Sequence, residues 1–274
     1  MSEFQYYEFQ ALDKKLSDKD IQALRRISSR ATITPRRFVN HYSYGDFRGD
    51  PQKLLNIYFD SFLYLANWGS INLAFKFPKR LINQKALEPF LTEEICKVRA
   101  TNQHVILEYE LIECDVPGLL EEDSPLLSNL ISLRKDILHG DFRMLYLGWL
   151  VGLQYGALSP DSKEPPLPLG LKRLTPALKE FVDLFQLDPK LIKTAATNST
   201  NEFTELNCDS LEPLIAGLSE KKKRAWLLRL ATDDSTTVKE EFLKELMPMP
   251  DSGLEYFSDS SRRTVEELCA KAGI

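Results

Sequence analysis

A chain of 274 residues, 43% hydrophobic and 27% charged, is long enough for two compact units with their own cores, which excludes disorder as the starting expectation. Its net charge of −5 divides unevenly: residues 1–112 carry 16 Lys/Arg against 13 Asp/Glu, and residues 113–274 carry 19 against 27, a balance that excludes a dedicated nucleic-acid coat. Cys96, Cys114, Cys208 and Cys269 never form C-x-x-C, which excludes a zinc ribbon or a disulfide scaffold and leaves reduced thiols as the expectation.

The opening Met1-Ser2-Glu3-Phe4-Gln5-Tyr6-Tyr7 has neither the basic nor the apolar region of a secretory leader, so a cytoplasmic location is expected. The run Phe142–Leu158 is interrupted by Arg143, Gln154 and three glycines and is shorter than the roughly 20 residues of a membrane span. It predicts a buried helix, and no membrane partner is expected.

In chain order, Tyr7, Phe9 and Ala11 alternate with Glu8 and Gln10, the period of a half-buried strand over Phe4–Leu12. Ser17 with Asp20 gives a capping box, and Ile21, Leu24 and Ile27 give the helix one apolar face. Ala31–Tyr44 is extended with a kink or edge position at Pro35, the strand proper covering Phe38–Tyr44. Asp50-Pro51 opens a helix whose apolar residues Leu54, Leu55, Tyr58, Phe59, Phe62, Leu63 and Ala66 carry it towards Gly69. Ile71, Leu73, Phe75 and Phe77 alternate as a strand ended by Pro78, a short helix follows near Leu87, and Cys96–Ala100 with His104–Ile112 form a hairpin. That order predicts an α+β domain with its sheet ending near residue 113, a ferredoxin-like split β-α-β variant with helices on one face.

Everything after Val116 reads as helix. Ser124-Pro125 caps one helix running to Leu138, Asp141 caps a second that is apolar on nearly all sides, and Gly140 turns the chain between them. This hairpin completes a first domain over 1–158, its best location being against the sheet. Pro160, Pro165, Pro166 and Pro168 make 159–170 a semi-rigid linker, and 171–274 is read as a helical domain. Thr175-Pro176, Asp188-Pro189, Asp209 or Ser210, Ser219, Thr237 with Glu240, and Thr264 with Glu267 mark helix starts. The last helix has barely begun at Ile274, so a natural chain continuing past it is expected. Lys221-Lys222-Lys223-Arg224 ahead of Trp226, Leu227, Leu228 and Leu230 makes an amphipathic helix suited to packing within this arm, with docking of a partner as the alternative.

The tetrapeptide Gly-Asp-Phe-Arg occurs at Gly45–Arg48 and again at Gly140–Arg143. With His41 and His139 nearby, it defines one polar grouping, His41, Asp46, His139, Asp141 and Arg143, which could hold a divalent metal or work as acid and base if the segments met. The spacing matches no ligand motif, and G-x-S-x-G, Walker-type and G-x-G-x-x-G signatures are absent. Caps and polar contacts are therefore the expected role, with no metal, cofactor or catalytic residue. The basic stretch Arg25, Arg26, Arg30, Arg36, Arg37 and Arg48, near Tyr42, Tyr44, Phe47, Phe75 and Phe77, is the candidate nucleic-acid or anion contact. Acidic runs such as Glu121-Glu122-Asp123 read as solvated surface.

The segments Glu3–Ala11, Ile33-Thr34-Pro35 with Arg37-Phe38, Tyr44–Asp50, Leu63–Gly69, Leu145–Leu150 and Arg262–Leu268 carry a resemblance over nearly the whole chain. The chain resembles a family of uncharacterised bacterial proteins whose members continue into a charged helical tail; the resemblance implies no activity, cofactor or catalytic residue. The leading expectation is a non-enzymatic interaction or scaffold protein with protein partners. A nucleic-acid-binding module using Arg25–Arg48 is the alternative, and an enzyme of unrecognised type the second.

Overall fold

The computed structural model describes residues 4–43, 45–114, 126–199, 208–233, 235–247 and 262–274. Gln5–Gln10 forms β1, Asp18–Ile27 α1, Thr32–Thr34 β2 and Arg37–Tyr42 β3. Ser17 accepts from the Asp20 amide while Asp20 reaches back to the Ser17 amide, closing the expected capping box. Pro35 sits in the turn between β2 and β3, where a missing N–H costs no ladder bond.

Asp50–Gly69 does not form one helix. Asp50 caps α2, Pro51–Ile57, and the chain then turns into a strand, β4, Ser61–Ala66. The apolar run Phe62–Ala66 satisfies helical spacing only because it is apolar at nearly every position, which is equally the signature of a strand buried on both faces. Asp60 fixes the turn: its Oδ2 accepts the amides of Leu12 at 2.7 Å and Asp13 at 2.9 Å, and its Oδ1 faces Lys76 Nζ at 3.4 Å.

Ser70–Pro78 (β5) follows, then the short helix α3, Gln84–Leu87, and the expected hairpin of β6, Cys96–Ala100, with β7, His104–Ile112. The sheet has seven strands in the order β2-β3-β1-β4-β5-β7-β6. Each neighbouring pair is antiparallel.

Most of the rest is helical: α4 Leu126–Leu130, α5 Ser132–Leu138, α6 Arg143–Gln154, α7 Pro176–Leu184, α8 Pro189–Ala195, α9 Cys208–Ala216, α10 Glu220–Thr232, α11 Thr236–Leu246 and α12 Val265–Ala272. Thr175, Asp188, Ser219 and Thr264 cap as expected, but α11 is capped by Ser235 rather than Thr237. The expected cap at Ser124-Pro125 and the acidic run 121–123 lie outside the described residues.

Helices cover both faces of the sheet, not one. Tyr7, Phe9, Phe38 and Phe62 pack under Leu24 of α1 and Leu54 and Leu55 of α2. On the other face, Leu63, Leu73, Phe75, Leu107 and Tyr109 join side chains of α4 to α8 and α12. β1 is consequently buried on both sides, and Glu8 becomes an interior polar hub. It accepts from Tyr6 Oη at 2.5 Å, Arg37 Nε at 2.7 Å, and Gln10 Nε2 and the Leu127 amide at 2.9 Å each.

The apolar core continues past the proline-rich run. Phe181 and Phe185 place their rings 5.4 and 6.0 Å from that of Tyr109, and burial of each such ring contributes about 1.5–3 kcal/mol. The run itself is tied on two sides. The Tyr146 hydroxyl donates to Glu164, whose carboxylate also accepts from Arg263 Nε at 2.8 Å and Nη2 at 2.6 Å.

Candidate functional site

The two tetrapeptides meet opposite fates. Arg143 is buried and donates to Asp141 through Nε at 3.0 Å and Nη2 at 2.6 Å, while its Nη1 reaches the Arg173 carbonyl at 2.7 Å. Asp141 also accepts the Arg143 amide at 3.1 Å, so this copy is consumed in building the start of α6. The first copy lies at the surface. Gly45, at φ +87°, starts a loop in which Asp46 and Arg48 are exposed while Phe47 turns inward against Tyr7, Phe9, Phe38 and Tyr42. Gly49 is held close to that ring; a Cβ there would lie 2.7 Å from it.

Two concavities flank this loop on the α1/α2 face. One, of about 390 Å³, is lined by Ile27, Ser28, Arg30, Tyr42, Asp46 and Arg48 among others. The second, of about 500 Å³, lies between the start of α2 and the sheet, lined by Tyr7, Gln52, Leu55, Phe62, Tyr64, Asn72, Arg99 and Glu108 together with Asp50 and Pro51. Gln5 joins them: its Oε1 accepts from Tyr7 Oη at 2.7 Å and Tyr64 Oη at 3.4 Å, and its Nε2 donates to the Gly45 carbonyl and Asp46 Oδ1 at 3.3 Å each. Burial raises the pKa of both Tyr7 and Tyr64, so these phenols remain protonated donors rather than nucleophiles.

The basic stretch is divided. Arg25 Nη1 donates to the Ser29 and Ala31 carbonyls at 3.1 and 2.7 Å, closing the end of α1. Arg36 Nη1 bonds the Ala11 and Leu12 carbonyls at 3.0 Å each, and Arg37 pairs with Glu8 on the opposite face of the sheet. Arg26 is exposed on α1, and Arg30 and Arg48 line the smaller concavity. Phe75 and Phe77 are buried in the core of the far face, and Tyr44 lies outside the described residues.

The five-residue polar grouping is not formed. His41 points to the opposite face from Asp46, its ring 5.8 Å from Phe4 and 5.0 Å from Tyr6, because alternate residues of β3 face opposite ways. His139 Nε2 meets Glu240 Oε2 at 2.6 Å, a contact that joins the end of α5 to α11. Beside it, burial and the Asp141 charge push the Asp136 carboxyl up to about 6. Among the described residues, no group of three His, Cys, Asp or Glu side chains could hold a metal ion.

α10 forms a second unspent surface. Its Trp226 is buried against Phe242 with ring centroids 5.3 Å apart, and Nε1 donates to Glu245 Oε2 at 2.7 Å. Leu227, Leu228 and Leu230 are 68%, 58% and 38% exposed. Lys222, Lys223 and Arg229 pair with Glu245, Glu220 and Glu241, whereas Lys221 and Arg224 are exposed with no ion-pair partner among the described residues.

No described helix is long and apolar enough to cross a membrane. Comparison with protein-family models, curated proteins and solved structures finds no match, in keeping with a resemblance that carries no activity.

Sequence reasoning picked out Arg30, Asp46 and Arg48 but missed Tyr7, Tyr64, Asn72, Arg99 and Glu108. Their signal was the mixed polar and aromatic composition of one face of β1, β4, β5, β6 and β7. It becomes readable only once the strands are placed side by side.

Proposed function

We propose that this is a non-enzymatic interaction protein whose docking element is the outer face of α10. The observation that supports this reading best is the solvent exposure of Leu227, Leu228 and Leu230 on a helix already anchored by Trp226. Lys221 and Arg224 border the same face, so the complementary partner is an acidic segment with an apolar stripe of its own. A second copy meeting face to face would set these cations against their own kind, which opposes self-association. The buried ionisable groups add support, since Glu8, Asp141, Arg143, Glu164 and Arg263 are committed to internal bonds.

Affinity capture with the full chain and with a Leu227→Ser, Leu228→Ser double variant tests this. The expected result is a stoichiometric acidic partner retained by the parent chain and lost from the variant, with circular dichroism unchanged. Equal capture by both, or turnover of a small molecule with no partner, would sink the reading.

Nucleic-acid contact is the second reading, favoured by Arg30, Arg48 and Tyr42 around one concavity. Asp46 in the same wall limits it to few phosphates. Two neutralised phosphates on a single strand give a log–log salt slope of about −1.4. Oligonucleotide binding that is absent, salt-independent or unchanged in Arg30→Ala, Arg48→Ala removes this reading.

For the fold, we propose a ferredoxin-like unit in β1-α1-β2-β3-α2-β4, extended beyond β4 by β5, β7 and β6. The order β2-β3-β1-β4 and the placement of α1 and α2 on one face support it. A crystal structure with β1 outside the β3–β4 interval would refute it.

A further inference from the structure

We propose that α9, α10 and α11 form one arm, latched to the rest of the molecule by a polar seam that loosens as pH rises through the range in which imidazole titrates. This latch is independent of whether α10 is a docking face. Among the described residues, no side chain of α9, α10 or α11 belongs to either apolar cluster that covers the sheet. Trp226, Val238, Leu243 and Leu246 are buried nonetheless, and α11 lies against α9 and α10. A boundary crossed by no shared apolar cluster is held by its polar bonds, which places it at the low-stability end of the fold.

Two ion pairs cross that boundary among the described residues. Arg80 Nη2 meets Glu241 Oε1 at 2.6 Å, and Glu241 Oε2 takes Arg229 of α10 at 2.5 Å. Beside them, Lys244 Nζ donates to the Arg80 carbonyl at 2.6 Å, and Thr236 Oγ1 to the Leu12 carbonyl at 3.2 Å. The Arg80 side chain is 61% exposed, so water and salt screen its pair. The second pair joins His139 Nε2 to Glu240 Oε2 at 2.6 Å, with side chains only 14% and 13% exposed. It is thus the better shielded of the two, and the one that contains an imidazole.

Two groups on the body side of this pair change charge in the same direction. An imidazolium at His139 gives Glu240 a charge-assisted bond, about twice as strong as the neutral one left when the proton is lost. Asp136 precedes His139 by three residues in α5 and interacts with it electrostatically; burial and then the Asp141 charge push its carboxyl up to about 6. Ionised, it sets a second negative charge beside the contact that Glu240 makes. The remaining charges near Asp136 are Asp141 and Arg143, which cancel as an ion pair, and Lys135, which is exposed. On the arm, Lys239 is exposed and Glu241 is already paired. Lys179, Glu180 and Asp183 of α7, which also packs against α5, form no ion pair with this corner among the described residues. Docking of the arm therefore favours the protonated forms, and by linkage low pH favours the docked arm.

Nitrogen-15 relaxation and small-angle scattering of the full chain between about pH 5 and pH 8 test the latch. At the acid end, amides of α10, α11 and the sheet should share one rotational correlation time. Towards the alkaline end the arm's should fall below that of β4 and β5 while the radius of gyration grows, the docked-to-released ratio dropping about tenfold. His139→Gln keeps a neutral donor without the titration, so its arm should be loosened at every pH with no further pH dependence. Glu240→Gln should do the same and guards against a folding defect in His139→Gln. Asp136→Asn should narrow the drop without abolishing it. One correlation time for arm and sheet at every pH would overturn the latch, as would a change shared equally by β4 and β5, or His139→Gln and Glu240→Gln titrating as the parent does.

Discussion

Asp141 and Arg143, two positions apart in sequence, form a buried bidentate ion pair with side chains only 4% and 7% exposed. Removing one partner of such a pair leaves an uncompensated charge in the interior, which costs about 3–5 kcal/mol. Arg143→Ala should lower the urea unfolding free energy by that amount. Arg48→Ala, in the exposed copy of the same tetrapeptide, should change it by less than about 0.5 kcal/mol. Equal effects would mean that the two copies are not divided between structure and surface.

Asp136 makes a pH prediction with a definite sign. Its carboxyl is moved from 3.8 to about 6, first by burial and then by the Asp141 charge. A folded pKa above the unfolded one means the folded state binds the proton more tightly. The contribution is therefore full below about pH 4 and is lost as pH rises through about 6. Asp136→Asn, which never ionises, should gain stability relative to the parent chain between pH 4 and pH 7, and the gap between the two urea midpoints should widen across that interval. A gap that stays constant would show that Asp136 titrates alike in both states.

Much of the molecule was legible locally. Ser17 with Asp20 and Thr264 with Glu267 announce helix starts because a capping box is a bond between near neighbours. Phe62–Ala66 was illegible for the opposite reason: a solid apolar run fits helical and strand periods alike, and only its place between β1 and β5 decides. Glu8 and Gln10 likewise read as a solvated face until helices are laid on both sides of β1. The site suffers most from this limit, since Asn72, Arg99 and Glu108 belong to three strands and become neighbours through sheet order alone.

Glycine positions separate strain from crowding. Gly148 in α6 lies against Tyr109, and a Cβ would fall 2.2 Å from that fully buried ring. Gly148→Ala should destabilise by at least about 1–3 kcal/mol, because neither the helix nor the ring has room to retreat. Gly45 has open space, but its φ of +87° is unfavourable to any side chain, so Gly45→Ala should cost only about 1–2 kcal/mol. Thermal melts of the two variants distinguish the cases: a space-relieving Tyr109→Leu should recover part of the Gly148→Ala loss and none of the Gly45→Ala loss.

Arg263 governs how α12 is held. Its guanidinium satisfies Glu164 and also donates to the Thr194 and Ala195 carbonyls at 2.9 and 3.0 Å, binding the proline-rich run, the end of α8 and the start of α12 at one point. Arg263→Ala would leave the Glu164 carboxylate beside Tyr146 without the guanidinium that pairs with it. Local opening of α12 relieves that charge, since the helix lies at the end of the described chain and is held by Val265, Leu268, Cys269 and Ala272, by backbone bonds to Pro160 and Ser162, and by this cluster. Amide hydrogen exchange in residues 262–274 should therefore accelerate by at least about tenfold, while exchange in β4 and β5, at the centre of the sheet, stays slow. Acceleration spread evenly over the sheet would instead make Arg263 a support of the whole fold, with α12 unable to open on its own.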